Sequence, residues 1–204
     1  MAQNETTKSS SHPELCVGIA TVARRGARYF KSTVGSLLEG LSEEERSGIN
    51  LILFIAHTNA SEHPAYAEPW LFKVADNVLL YDPQTVDINH IRELETDAAK
   101  VHGREKPLFD YTYLLEACAA TNAPYVAMIE DDVVAQDGWY HKTREAIKSA
   151  DKQIKQIGAP HWLYLRLFYT EEFFGWNSEF WFTYLTASIS VVALIAGLCI
   201  AARS

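Results

Sequence analysis

Positive charge is the first thing this sequence is short of. It carries 18 Lys and Arg against 26 Asp and Glu, a formal net charge of −8, and the basic residues are scattered with no stripe among them. Binding of nucleic acid through phosphate neutralisation needs a basic face, so that class of function is not expected. An anionic nucleotide can still be held by a local positive pocket or by a recruited metal ion. Cysteine is scarce as well: Cys16, Cys118 and Cys199 stand far apart and form no CxxC pair. Neither a structural zinc site nor a disulfide framework is expected from them. Cys16 and Cys118 lie in apolar surroundings where free thiols are common, and a single bridge between them stays open. The seven histidines make no HExxH or other metal-ligand spacing. An apolar opening segment of the secretory type is missing too, since MAQNETTKSSSHPEL is polar throughout.

What is present is unevenly distributed. The mean hydropathy of −0.10 conceals a run from Phe180 to Ala202, FWFTYLTASISVVALIAGLCIAA, that contains no charged residue. At roughly 23 residues it is long enough to cross a hydrocarbon core of about 30 Å, and core helices of soluble proteins rarely run so far without a charge. Phe180, Trp181, Phe182 and Tyr184 crowd one end as an interfacial aromatic belt does. Residues 179–202 are therefore read as a transmembrane helix. Glu171, Glu172 and Glu179 precede it and Arg203 follows, which puts the C-terminus in the cytosol and the preceding residues in the lumen. The sequons Asn4-Glu5-Thr6 and Asn59-Ala60-Ser61 point the same way. A lumenal domain needs a route across the membrane: the helix itself, or an upstream anchor outside this sequence, and the second is the expectation.

The length suits one soluble domain. Residues 1–13 are polar and Ser-rich and are expected to be disordered. Leu15–Thr21, Ile49–Ala56, Asn77–Tyr81, Tyr125–Glu130 and His161–Tyr169 read as five strands. Between them, helical spacing predicts helices over Tyr29–Leu41, around Ile88, Ile91 and Leu94, around Leu108, Tyr111, Leu115 and Cys118, and over Trp139–Ile154. Ser42–Glu45 reads as a solvated turn or helix start, and 57–69 as loop with at most a short helix. Strands alternating with helices predict an α/β layer structure with a largely parallel sheet.

The sharpest chemical feature is Glu130-Asp131-Asp132 at the carboxyl end of a buried strand, the edge at which open α/β sheets bind ligands. Three adjacent acids repel one another in a dry pocket. A hard cation, Mn²⁺ or Mg²⁺, relieves that repulsion and bridges carboxylate to a diphosphate, taking up charge on a departing nucleotide. The bland account, acids ending a strand in a solvated turn, is common for such triplets; the YVAMI run before them favours the sheet edge. Directly after the first strand, Thr21, Arg24 and Arg25 form a loop suited to a nucleotide base or phosphate, and two surface arginines are an equal account. Lys106, with Asp110 and Tyr111, starts a helix and is placed to hold phosphate, although solvent exposure is the favoured reading for it. In WLYLRLFYTEEFFGW the aromatics suit sugar rings, and Glu171 or Glu172 suits a general base; a membrane-proximal collar explains the same residues.

Taken together, CVGIATVARRGARYFKSTVGSLLEGL, DYTYLLEACAATNAPYVAMIEDDVVAQDGWY and LYLRLFYTEEFFGW resemble the Golgi GPI-anchor N-acetylgalactosamine transferases that act after GPI attachment to proteins, in a form like the fungal members. The resemblance extends from Leu15 over nearly the whole chain. In its first half that family is similar to the N-acetylglucosaminyltransferases that branch N-glycans, which stand as the alternative enzyme reading; a catalytically inactive membrane protein binding a glycan or a partner is the non-enzyme one. The resemblance implies a GT-A-like fold over 14–178, UDP-N-acetylgalactosamine as donor, a mannose of the GPI core as acceptor, and a Golgi (or ER) membrane with the soluble part lumenal. It implies Mn²⁺ (or Mg²⁺) on Asp132, with Glu130 and Asp131 at the ribose or the metal shell and Thr21 and Arg24 in the donor loop. It also implies an N-terminal anchor and a second helix paired with the span, with further catalytic residues beyond, so the chain is expected to be an incomplete form of such an enzyme.

Overall fold

The computed structural model describes residues 8–24, 29–97, 103–167 and 181–201. They fall in two compact units, Met1–Lys142 and Thr143–Ser204. The first unit is built on a parallel sheet of four strands in the order β3-β2-β1-β4, with β1 Leu15–Thr21, β2 Ile49–Ile55, β3 Asn77–Leu79 and β4 Tyr125–Ile129. Leu15 is in register with Ile49 on one side and Tyr125 on the other, and Ile52 with Asn77. LCVGIAT and INLILFI are near-continuous apolar runs because a strand in the middle of a parallel sheet is covered on both faces. The chain lays down β1, β2 and β3 in one direction and then returns to place β4 on the far side of β1. That reversal leaves a crevice between the carboxyl ends of β1 and β4.

Alternate residues of β1 feed two cores. Leu15, Val17 and Ile19 pack with Phe30, Val34 and Leu37 of α1 (Phe30–Leu38), whereas Cys16 packs with Ile52, Phe54 and the inner faces of α4 (Ile88–Thr96) and α5 (Glu105–Ala119). On that second face α5 comes so close that a Cβ built on Gly18 stands 3.0 Å from Leu114 Cγ and 3.2 Å from Cys118 Sγ. The bridge that the sequence left open is formed: Cys16 and Cys118, both fully buried, are joined across a Cα–Cα distance of 5.6 Å. Asn122, with φ at +58°, turns the chain out of the region after α5 and toward β4.

Some elements settle an open expectation and others differ from it, for identifiable reasons. Ser42–Glu45 opens a true helix, α2 (Glu43–Ser47), because Ser42 and Glu45 form a reciprocal capping box. The 57–69 loop holds two short 3₁₀ turns, Ala60–Glu62 and Pro64–Ala67, and is followed by the unanticipated α3 (Pro69–Val74), which has proline at its first position. The buried face of α5 is Asp110, Leu114 and Cys118, so of the four residues that mark the helix Cys118 is buried while Leu108, Tyr111 and Leu115 are exposed. Buried Arg46 answers buried Asp76 at 3.0 Å and also donates to the Ile49 and Val74 carbonyls, which ties α2 to the start of β2.

α6 (Trp139–Ile157) runs slightly further than expected. In the second unit the expected fifth strand is corrected: 161–167 is not a strand, and its Leu163, Tyr164 and Leu167 are exposed. A strand needs a hydrogen-bonded neighbour, and an alternating apolar pattern does not provide one; these residues join no ladder of the sheet. The remainder of that expected strand, like Arg25, Glu171 and Glu172, lies outside the described residues. The final helix, α7 (Trp181–Ala201), has 21 residues, and its most apolar 18 have a mean hydropathy of 2.2 with none buried, so it is long and apolar enough to cross a membrane. Two of its hydroxyls donate within the helix, Thr186 to Phe182 O at 3.0 Å and Ser190 to Thr186 O at 2.8 Å.

Candidate functional site

The crevice at the carboxyl ends of β1 and β4 gathers four of the residues singled out in the sequence. Thr21 ends β1 and is buried; its hydroxyl donates to Asp131 Oδ2 at 2.6 Å. Beyond the end of β4, successive side chains diverge, so Asp131 turns inward and is buried while Glu130 and Asp132 are exposed. Arg24, two residues beyond the Val22 that follows β1, sets its guanidinium fork across the two aspartates, Nη2 to Asp131 Oδ1 at 2.7 Å and Nη1 to Asp132 Oδ2 at 3.1 Å. Thr33, in the first turn of α1, donates to the Asp131 carbonyl at 2.9 Å. The charge crowding expected of the triplet is thus relieved by divergence of the acids and by one guanidinium.

His63, which the sequence reading did not single out, completes the network from below. The Ala65 N–H donates to His63 Nδ1 at 3.2 Å, so the hydrogen resides on Nε2, which points at Thr21 Oγ1 at 3.1 Å. The order of donation is then His63 to Thr21 to Asp131, and it fixes the direction of the Thr21 hydroxyl. A lone histidine in a proline-containing loop has no spacing signal that announces such a role, and neither does Thr33. Beside the network opens a cavity walled by Thr21, Arg24, Phe30, His63, Trp70 and Asp131. Trp70 closes one side, its indole N–H on Glu68 Oε2 at 2.6 Å.

A second polar group lies along the same sheet edge, past the ends of β2 and β3. The expected solvent exposure of Lys106 is overturned: its side chain is 13% exposed and its three donors go to Ala56 O at 2.9 Å, Tyr81 Oη at 3.1 Å and Asp110 Oδ2 at 2.8 Å. The Tyr81 hydroxyl donates to the other Asp110 oxygen. Burial pushes the Asp110 carboxyl up from its ordinary range, against the opposing pull of Lys106. Tyr81 is raised as well, by burial first and then by the Asp110 charge. His57 links the two groups. Its Nε2 accepts the Ala23 N–H at 2.7 Å, its ring centroid is 6.2 Å from that of His63, and its Nδ1 faces Glu95 at 3.9 Å. Burial lowers its pKa from 6.5, partly offset by Glu95. Sequence reasoning missed His57, Tyr81 and Glu95, which only the sheet brings together.

Among the described residues no three His, Cys, Asp or Glu side chains converge into a metal cage. The donor set does fit a hard cation held jointly with a diphosphate, which takes one or two carboxylates from the protein and its remaining oxygens from substrate and water. Asp132 offers an exposed carboxylate, and the position already attracts a cationic group in Arg24.

A parallel α/β sheet with a topological switch point between β1 and β4, where acids meet an arginine fork, defines a protein of the open α/β class. Within it the chain belongs to the GPI-N-acetylgalactosamine transferase PGAP4 family, whose match covers residues 15–202. That is a glycosyltransferase family of the hexosaminyltransferase kind. The chain is also similar to alpha-1,3-mannosyl-glycoprotein 4-beta-N-acetylglucosaminyltransferase A of Xenopus tropicalis, 31% identical over 138 residues covering 62% of this chain and 25% of that protein. With the corresponding enzyme C of Mus musculus it is 26% identical over 162 residues, 74% of this chain and 32% of that one. The chain thus spans about a quarter to a third of the length of these curated relatives. No solved structure matches it significantly.

Proposed function

We propose that this chain provides the nucleotide-sugar-binding part of a metal-dependent glycosyltransferase that transfers N-acetylgalactosamine from UDP-N-acetylgalactosamine to the mannose core of GPI anchors. The observation that carries the reading is the Thr21–Asp131–Arg24–Asp132 network at the switch point between β1 and β4. The diphosphate lies in this crevice, with Arg24 donating charge-assisted hydrogen bonds to it. Asp132 holds Mn²⁺ (or Mg²⁺), and Glu130 and Asp131 contact the ribose or the metal's water shell. When bound, the cation neutralises charge on the departing nucleotide. Lys106 and Asp110 serve the donor from the neighbouring polar group past β2 and β3, and Arg25 extends the donor loop. For the general base, Glu171 and Glu172 are this chain's own candidates, and loss of transfer in Glu171→Gln or Glu172→Gln is the test; transfer retained by both places the base outside them.

The proposed setting is the Golgi membrane, or the ER, with α7 in the bilayer and the first unit in the lumen. The Cys16–Cys118 bridge supports that side, because disulfides persist in oxidising compartments. Calorimetry on the full chain in detergent tests the site: UDP-N-acetylgalactosamine is expected to bind only with Mn²⁺ present and to lose that binding in Asp132→Ala. Equal binding by the variant sinks the metal assignment. The matched relatives are named as N-acetylglucosaminyltransferases, so UDP-N-acetylglucosamine belongs in the same titration. Tighter binding of that sugar than of its epimer moves the donor assignment to the N-glycan-branching type.

A further inference from the structure

We infer that Arg24 occupies the acidic pair as a stand-in cation when no donor is bound, and that it leaves for the diphosphate only when cation and donor arrive together. This rests on the donor-site reading above and goes further, because it makes cation binding conditional on the diphosphate.

Three observations carry it. Arg24 already sits where a cation would act, one fork nitrogen on each of Asp131 and Asp132, and among the described residues it is the cation that pairs with either. Its hold on the two acids is unequal. Asp131 is 8% exposed and keeps the Thr21 hydroxyl at 2.6 Å whether or not Arg24 stays; Asp132 is 39% exposed and its Oδ2 has Arg24 at 3.1 Å. Lastly, the Arg24 side chain is 48% exposed and so is free to swing, unlike Arg46, which is 6% exposed and held by two carbonyls as well as by Asp76.

A metal ion on Asp132 would face the guanidinium across the same carboxylate, and two positive charges at that range repel. Cation alone must therefore displace Arg24 from Asp132 and leave its Nη1 without that partner. A diphosphate changes the balance, because its oxygens match the planar fork as well as two carboxylates do. Each ligand then favours the other, and linkage requires the coupling to be reciprocal. Among the described residues the other nearby basic groups are engaged elsewhere: Lys31 by Glu68 at 3.2 Å, and the His63 ring, oriented by the Ala65 N–H, by Thr21.

The test is Mn²⁺ binding to the full chain in detergent, read from the paramagnetic resonance of free Mn²⁺, with and without UDP. The wild type, Arg24→Ala and Arg24→Lys are compared, each checked for its fold by circular dichroism. Without UDP, Arg24→Ala is expected to bind Mn²⁺ about five- to tenfold more tightly than the wild type, the size of a partly exposed charge-assisted pair. Addition of UDP is expected to tighten Mn²⁺ binding less in the variant than in the wild type. Arg24→Lys, which can reach one acid at a time, falls between, and it carries the comparison if the alanine variant does not fold. A merely structural arginine would lower or leave unchanged the Mn²⁺ affinity, and either result from the folded variants overturns the inference. UDP that binds neither protein, while Arg24→Ala gains Mn²⁺ affinity, overturns the donor reading and leaves the competition standing.

Discussion

Lys106 and Asp110 show how much a single pair of side chains is asked to do at this sheet edge. The two meet at 2.8 Å with side chains 13% and 9% exposed, and Tyr81 completes the carboxylate's coordination. Taking away one partner strands the other charge in a poor solvent, which costs about 3–5 kcal/mol in buried pairs. Lys106→Met is therefore expected to lower the urea unfolding free energy by about that amount, and Lys106→Met with Asp110→Asn to recover most of it. A double variant no more stable than the single one would show that the pair's charge balance is not what matters. His57 makes a prediction about pH. Its folded pKa lies below the 6.5 of the unfolded chain, so between those values the unfolded state holds more protons. Stability from His57 is full above about pH 6.5 and is lost as pH falls toward the folded value, at no more than about 1.4 kcal/mol per pH unit for one proton. Asp110 has the opposite sign: its raised pKa makes stability fall as pH rises from the ordinary 3.8 through the folded value. Denaturant unfolding from pH 7.5 to 5.5 on wild type and His57→Gln isolates the histidine, and the slope is expected to flatten in the variant.

Among the elements, β1 depends most on a residue that lacks a side chain. Gly18 lets α5 approach, and Gly18→Ala would press a methyl against Leu114 and the Cys118 sulfur at 3.0 and 3.2 Å. Overpacking of this kind costs about 1–3 kcal/mol, and a lowered midpoint of thermal unfolding is the expected result. An unchanged midpoint would mean that α5 moves away freely. β1, β2 and β4 were legible because each is an apolar run closed by a polar break, and the acids and Thr21 were legible because they stand at those breaks. Arg24 could be placed in the loop from sequence, but not its fork over Asp131 and Asp132, which requires β4 to return beside β1. α5 is legible from its periodicity, and Cys118 of that pattern lies on the buried face, but Asp110 is buried there too by compensation from Lys106 and Tyr81, which a hydrophobic pattern does not register. The 161–167 segment failed as a strand for a related reason, since pairing is decided by neighbours and not by the segment's own residues.

Across the whole molecule, three independent features bear on which side of a membrane the first unit resides. The Cys16–Cys118 bridge closes a loop of sequence separation 102, and a loop that long is worth about 4–5 kcal/mol by constraint of the unfolded chain. A domain that relies on such a bridge folds best where thiols are oxidised. Asn59 is exposed and its sequon serine is two residues on, so it is open to glycosylation in the same compartment. α7 is long and apolar enough to hold the chain at the bilayer, and the acids before it against the arginine after it favour the same orientation. Translation of the full chain into microsomes tests the three together. Asn59→Gln is expected to remove an endoglycosidase-sensitive mass shift, and Cys16 and Cys118 are expected to resist alkylation until the protein is denatured and reduced. A chain that is unglycosylated at every sequon, with both thiols labelled after denaturation without reductant, would put the first unit on the cytosolic side. Glycosylation with free thiols would keep the lumenal placement but deny the bridge, and the contribution of about 4–5 kcal/mol ascribed to it would be denied with it.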